Sequence, residues 1–340
     1  MVDLAPIDIF SLAVYCTTFI LGAPSNAVAL CIFFKELKRK PTPNVIYMIN
    51  LCISDGLFVA FLPVKMVETV WGEWVLPVVF CPIYHIFHFS TIYASVLFLM
   101  ALSIGRYLSI AFPIRYKMYK SPRYSCVVCF VLWLLVVGHL AFIFLVEATG
   151  SQDHLVAPAE SNASTCYANF TQNQLDLLLP LRLELAVVFF LAPLVLTSFA
   201  YLGCFWELSR SQLPQREKRK ALRVAAITLT TFVACFAPYN ASHLVGFALH
   251  ENVNWRREAL LPSVASAFLN PLVFFCSSSA LQQSTTQYWQ GTKQYTSSVK
   301  QSLLRIWHGA IPQEKGLNRD LTQTSDPVPC GTSSPGIGCE

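Results

Sequence analysis

Residues 81–113 read CPIYHIFHFSTIYASVLFLMALSIGRYLSIAFP, and this stretch decides the fold class. It is mostly apolar and holds neither Gly nor Pro between Ile83 and Ile104. At ~1.5 Å per residue, a helix separates Cys81 from Arg106 by roughly 37 Å. That exceeds the ~30 Å hydrocarbon core of a bilayer, so the two ends lie at opposite membrane faces. One end carries a cysteine that an oxidising exterior can pair; the other carries a cation suited to the cytoplasm. Taken alone, the stretch reads equally well as an ordinary membrane helix that ends in Arg.

Working outward, the 340 residues are 54% hydrophobic and 13% charged. Soluble domains carry about 25% charged residues, so this chain reads as largely membrane-embedded. Seven apolar spans are visible, at 9–34, 44–66, 81–110, 125–145, 183–204, 221–249 and 259–275. Lys35, Lys38, Arg39 and Lys40 follow span one, Arg115, Lys117, Lys120 and Arg123 follow span three, and Arg210, Arg216, Lys218, Arg219 and Lys220 follow span five. Residues 147–180 contain no Lys or Arg. The positive-inside rule then puts the N-terminus outside and the C-terminus inside. The opening MVDLAPIDIF has no basic n-region, so the first helix is expected to insert uncleaved. The expected fold class is an all-α membrane protein, a seven-transmembrane helix bundle over residues 1–280. An amphipathic segment at 281–311 is expected to lie on membrane lipids of the inner leaflet, ahead of a disordered cytoplasmic tail at 312–340.

Polar residues inside the spans are candidates for function. Asp55 sits mid-span in NLCISD, where a carboxylate is expensive. With Asn26 and Asn270 it is placed to form one polar cluster, roomy enough for water or a Na⁺ ion; the competing reading is a protonated packing residue. Of the 12 cysteines, Cys166 alone lies in an outer connection, so elimination pairs it with Cys81, against the reading of two free thiols. Asn162-Ala-Ser and Asn169-Phe-Thr are glycosylation sequons in the longest outer connection; Asn240-Ala-Ser falls inside span six and is discounted. Pro193, Pro238 and Pro271 are expected to kink their helices, as hinges or as static bends.

Together these features resemble the rhodopsin-like G-protein-coupled receptors. The matching pieces are Asn26, LCISD with Asp55, Cys81, Arg106-Tyr107, Trp133, Pro193, Tyr201, Pro238 and Asn270-Pro271, in family order across almost the whole chain. The resemblance implies a G-protein switch at Arg106, Tyr107 and Tyr201. It also implies heterotrimeric G proteins as partners, with arrestin recruited through a phosphorylated tail in which Thr322, Thr324, Ser325, Thr332, Ser333 and Ser334 are candidate sites. Three departures stand out: Gly105 replaces the usual acid, Phe236-Ala237-Pro238 the Trp-containing motif, and Phe274 the Tyr that follows Asn-Pro. Without that acid, appreciable signalling without ligand is expected.

The runs TCYANFTQNQLDLLLPLRLEL, PYNASHLVG and WRREALLPSVASAFLNPL look like the free fatty acid receptors. In that family two arginines bind the ligand carboxylate, and the matching positions are Arg182 and Arg256. The family's pocket histidines and tyrosines match His139, Tyr239 and His243, with Tyr93 deeper. The chemistry agrees: guanidinium forks hold carboxylates bidentately, and Tyr239 and His243, four apart, share a helical face. Competing readings pair Arg182 with Glu184 or Asp176 and let Arg256 snorkel beside Arg257. His243 and the outer-loop run lean to short-chain fatty acids; LNPLV and His88-Phe89 resemble the long-chain member.

The leading expectation is therefore a multi-pass plasma-membrane receptor for free fatty acid carboxylates. The alternatives are a receptor for long-chain fatty acids or another small organic anion and, in a different class, a secondary transporter, though no internal repeat is visible. Neither HExxH nor GxSxG occurs and Asp55 is the sole deep carboxylate, so no enzyme, catalytic group or metal centre is expected, and no nucleic-acid partner.

Two measurements bear on the outer face. Glycosidase treatment should shift the mobility of the mature protein through Asn162, Asn169 or both; no shift would remove both sequons. Peptide mapping should recover Cys81 linked to Cys166, and two free thiols there would refute the pairing.

Overall fold

A chain this apolar can place its peptide groups in lipid only by closing each N–H···O=C bond within helices. The computed structural model obeys that rule over the residues it describes: 5–77, 80–119, 121–150, 170 and 172–277, with the side chains of 117–119, 143–150 and 276–277 left aside. Cys166, Asn162, Asn169, the amphipathic segment and the tail lie outside the described residues.

Among the described residues, seven helices are long and apolar enough to cross a membrane. They are α1 (Pro6–Arg39), α2 (Pro43–Trp71), α3 (Phe80–Ala111), α5 (Pro122–Gly150), a composite of α6 (Gln172–Ala186) and α7 (Ala192–Arg210), α8 (Gln215–Leu249) and α9 (Arg256–Ser277). A short α4 (Pro113–Tyr119), which the sequence reading did not anticipate, follows α3. Pro113 opens it at the position where a missing N–H costs nothing. The helices overrun the apolar spans, since a helix nucleated in lipid continues readily into polar flanks.

Between α6 and α7 runs a π-helical stretch, Val187–Leu191. Pro193 lacks an N–H, and just before it the Ala192 N–H reaches back to Val187 O, one residue beyond the α-helical register. The bend expected at Pro193 thus takes the form of a local change of helical register.

Helix α3 is the hub: 83% of its most apolar window is buried, against 61% or less for the other six spans. It packs on α2, α5, α7 and α8, while α1 closes the ring against α2 and α9. Phe98, Leu102, Phe189, Phe232, Phe236 and Phe274 fill the centre. Phe130 and Leu202, by contrast, are 68% and 69% exposed, as befits side chains that face lipid.

Polar side chains turn inward and tie helices together. Asp55 accepts from Ser95 Oγ at 2.8 Å and from Asn270 Nδ2 at 2.9 Å, linking α2 to α3 and α9. Asn26 donates to Ala267 O at 2.7 Å, so it binds α1 to the backbone of α9 rather than joining the Asp55 carboxylate. Trp133 Nε1 donates to Asn50 Oδ1 at 3.1 Å, holding α5 on α2. Interhelical bonds of this kind contribute about 0.6 kcal/mol each, up to roughly 1.7.

Where α3 approaches α7 near Arg106, the Tyr107 ring lies directly over Gly203, and a Cβ there would run into it. Phe112 and Phe199 flank the same ring edge-on at 6.2 and 6.1 Å. Overpacking such a contact costs roughly 1–3 kcal/mol. Gly203→Ala should lower the thermal unfolding temperature of the purified protein, and Tyr107→Leu should restore much of the loss. An unchanged temperature in Gly203→Ala would contradict the close approach.

Candidate ligand site

Leu178, Arg182 and Leu185 recur at helical spacing on α6 and turn one face inward. Tyr239 and His243 do the same on α8, Tyr239 directly following Pro238 and His243 one turn further on. Arg256 opens α9, its N–H bonded to Val253 O at 3.2 Å. These faces and Tyr93 of α3 converge on a cavity of about 30 Å³, which Phe89, Leu140 and Leu181 also line.

Both guanidinium groups are held in place. Arg182 is 4% exposed; its Nη1 donates to Asn252 Oδ1 at 2.9 Å, and its Cζ lies 5.0 Å from the Phe170 ring centre. Arg256 Nη2 donates to the Tyr239 hydroxyl at 3.2 Å. Phe89 stacks on Tyr239 with centroids 5.8 Å apart, bracing that hydroxyl. A cation over an aromatic face contributes about 0.5–2 kcal/mol, enough to orient a guanidinium without consuming its hydrogen-bond donors.

His243 is 2% exposed, yet neither ring nitrogen has a hydrogen-bond partner among the described residues. Its ring packs edge-on to Tyr239 at 4.5 Å. Leaving a buried polar group unbonded costs about 1–3 kcal/mol. The arrangement can accept an anion: two cations and an unsatisfied imidazole surround a small cavity with Leu and Phe walls.

His139 stands apart from this group. It does not line the cavity; Phe189 stacks against it at 5.2 Å, and its Nε2 is 3.6 Å from Glu184 Oε1. The sequence reading missed Phe89, Leu178, Leu185 and Asn252. Helical spacing around Arg182 signals the two leucines, whereas nothing local marks Asn252.

A larger cavity of about 580 Å³ opens beside the first. It shares Phe89, Tyr239 and Arg256 with it and extends between α1, α2 and α9 past Tyr15 and the Lys65–Glu68 ion pair at 2.8 Å. At that same Cys81 end of the bundle, Cys81 itself is disulfide-bonded.

At the opposite end, a cleft of about 440 Å³ is lined by Arg106, Asn44, Tyr201, Glu36, Glu217 and Lys220. Arg106 Nη1 lies 3.5 Å from the Tyr201 hydroxyl, at the long limit of a hydrogen bond. Gly105 makes room for Asn44: a Cβ there would stand 2.5 Å from Asn44 Oδ1.

The family described as "7 transmembrane receptor (rhodopsin family)" matches residues 25–280. Free fatty acid receptor 3 of Mus musculus is 41% identical over 271 residues, covering 79% of this chain and 83% of the relative. Free fatty acid receptor 2 of Rattus norvegicus is 37% identical, covering 80% and 82%, and free fatty acid receptor 1 of Macaca fascicularis is 38% identical, covering 77% and 89%. The chain therefore belongs to the rhodopsin family of seven-transmembrane receptors and, within it, to the free fatty acid receptors.

Proposed function

We propose that this chain is a plasma-membrane receptor that binds short-chain fatty acid carboxylates on its Cys81 face and activates heterotrimeric G proteins through its Arg106 face. The Cys81 face is then extracellular, with the N-terminus outside and the C-terminus inside. The observation that carries this reading is the convergence of Arg182, Arg256 and the unsatisfied His243 on one small cavity. A water molecule needs about 10–15 Å³ of such space, so the cavity has room for roughly two or three groups of that size. That is about the size of the carboxylate group itself, so only a short alkyl tail fits, directed toward Leu178 and Leu185.

Tyr93 forms part of the cavity wall, and His139 acts from behind Phe189 rather than on the ligand. Cys81 pairs with Cys166, tethering the glycosylated connection near the entrance. Residues 1–280 form the receptor domain, the segment at 281–311 lies on the membrane, and the tail recruits arrestin when phosphorylated. Asp55 and the Ser54 and Ser95 hydroxyls supply an all-oxygen donor set fitted to Na⁺, which would offset the buried carboxylate's charge.

A second reading has its own basis. The neighbouring cavity of about 580 Å³ falls within the usual size range of small-molecule sites, and it would admit a longer or bulkier anion against Arg256.

Each arginine should supply a charge-assisted hydrogen bond worth ~1.5–3 kcal/mol. Arg182→Ala and Arg256→Ala should each lower propionate potency in a G-protein activation assay by about tenfold or more, with surface expression retained. Unchanged potency in both would remove the carboxylate clamp. Acetate has four heavy atoms, and a ceiling of about 1.5 kcal/mol per atom limits its affinity to tens of micromolar at best.

The cytoplasmic end yields a separate test. Gly105 supplies no acid to Arg106, so the wild type should signal without ligand. Any side chain at 105 also displaces Asn44, so the acid is best introduced where that clash is relieved. Asn44→Ala/Gly105→Glu should show basal activity about fivefold below Asn44→Ala, corresponding to ~1 kcal/mol. Equal activities would dismiss the missing-acid explanation.

A further inference from the structure

The connection from α8 to α9 is short and tightly built. His250 ends α8 in the left-handed region at φ 52°. The His250 N–H bonds to Phe247 O at 3.4 Å and the Glu251 N–H to Gly246 O at 3.1 Å. This paired pattern is a Schellman cap, which reverses the chain at a helix end. Gly246 permits the reversal, since a Cβ there would sit 3.0 Å from Glu251 O and 3.6 Å from Leu179 Cδ2. Val253 is 5% exposed and accepts the Arg256 N–H, so both ends of the turn are anchored.

The reversal carries Asn252 back over α6, where its Oδ1 accepts from Arg182 Nη1 at 2.9 Å. Arg182 lines the small cavity, whereas Asn252 lines the larger one together with Arg256. Their hydrogen bond therefore spans the junction between the two chambers.

We propose that Asn252 is a positioning residue: it sets the direction of the Arg182 fork and couples that fork to the turn that places Arg256. An amide suits this task because its oxygen accepts a hydrogen bond without adding a negative charge to compete with a ligand carboxylate. An aspartate has nearly the same shape and would hold the same guanidinium, but as an ion pair. Charge and shape can thus be separated at one position. The inference rests on the carboxylate reading given under Proposed function.

The test measures propionate concentration–response curves in membranes carrying the full-length receptor at matched surface expression. The wild type is compared with Asn252→Asp, Asn252→Ala, Arg182→Ala and Arg182→Ala/Asn252→Asp. Asn252→Asp should lose about tenfold or more in potency and Asn252→Ala less, whereas a purely structural loop residue would show the smaller loss with the isosteric aspartate. In the Arg182→Ala background, Asn252→Asp should add no further loss. A responsive wild type with unchanged Asn252→Asp, or equal Asn252→Asp losses with and without Arg182, would overturn this inference alone. A wild type silent to every fatty acid from acetate to palmitate would overturn the carboxylate reading, and the positioning role with it.

Discussion

Inside a bundle that faces hydrocarbon, a polar side chain has no water to turn to. Every such group must find a partner on its own helix or on a neighbour, and this constraint shapes the receptor. Asp55 is met by Ser95 and Asn270, Asn26 by Ala267 O and Trp133 by Asn50. Each of these contacts crosses between helices, so satisfying the polar groups and fixing the bundle are one event. The ligand cavity breaks the pattern. Among the described residues, His243 keeps both ring nitrogens without a hydrogen bond, beside Arg182, Arg256 and Tyr239 at the small cavity. In the proposed reading, that unmet demand in low dielectric is what a small anion would satisfy.

The opposite end relies on close approach instead. Two glycines there accept large neighbours: Gly105 takes Asn44, and Gly203 takes the Tyr107 ring. Both contacts involve the segment that bears Arg106, so the position of α3 relative to α2 and α7 is set by sterics as much as by charge. Glycines packed this closely against side chains leave few intermediate arrangements, which favours two discrete states over a continuum. A signal between the two ends has a physical path through α3, the most buried helix, which carries Phe89 at the ligand cavity, Ser95 at Asp55, and Arg106 at the cleft.

Much of this was legible in the sequence, for specific reasons. Apolar run lengths and the distribution of Lys and Arg marked all seven spans, because lipid imposes a length and the membrane imposes a charge bias. Arg182, Arg256, Tyr239 and His243 carried a local signal, namely cations and a helical pair where neither is cheap. The Asp55–Asn270 contact is legible in the sequence as two polar side chains in facing spans, whereas the direct bond of Asn26 to Ala267 O depends on helix rotation, which composition does not encode. His139 matches the family pocket by resemblance, whereas the packing puts it against Phe189, outside the lining of the small cavity. Asn252 was invisible because its role arises from a chain reversal that Gly246 and His250 create together.

The central claim is that the small cavity, rather than the larger one beside it, sets the ligand. It is tested most directly by measuring G-protein activation of the wild-type receptor across straight-chain fatty acids from acetate to palmitate at equal free concentration. Responses should peak within about two to four carbons and decline for longer chains, because the small cavity takes little beyond the carboxylate group and leaves only a short tail to be accommodated. Potency that instead climbs steadily with length, by the ~0.8 kcal/mol that each buried CH₂ contributes, would contradict it and assign the larger cavity to the ligand.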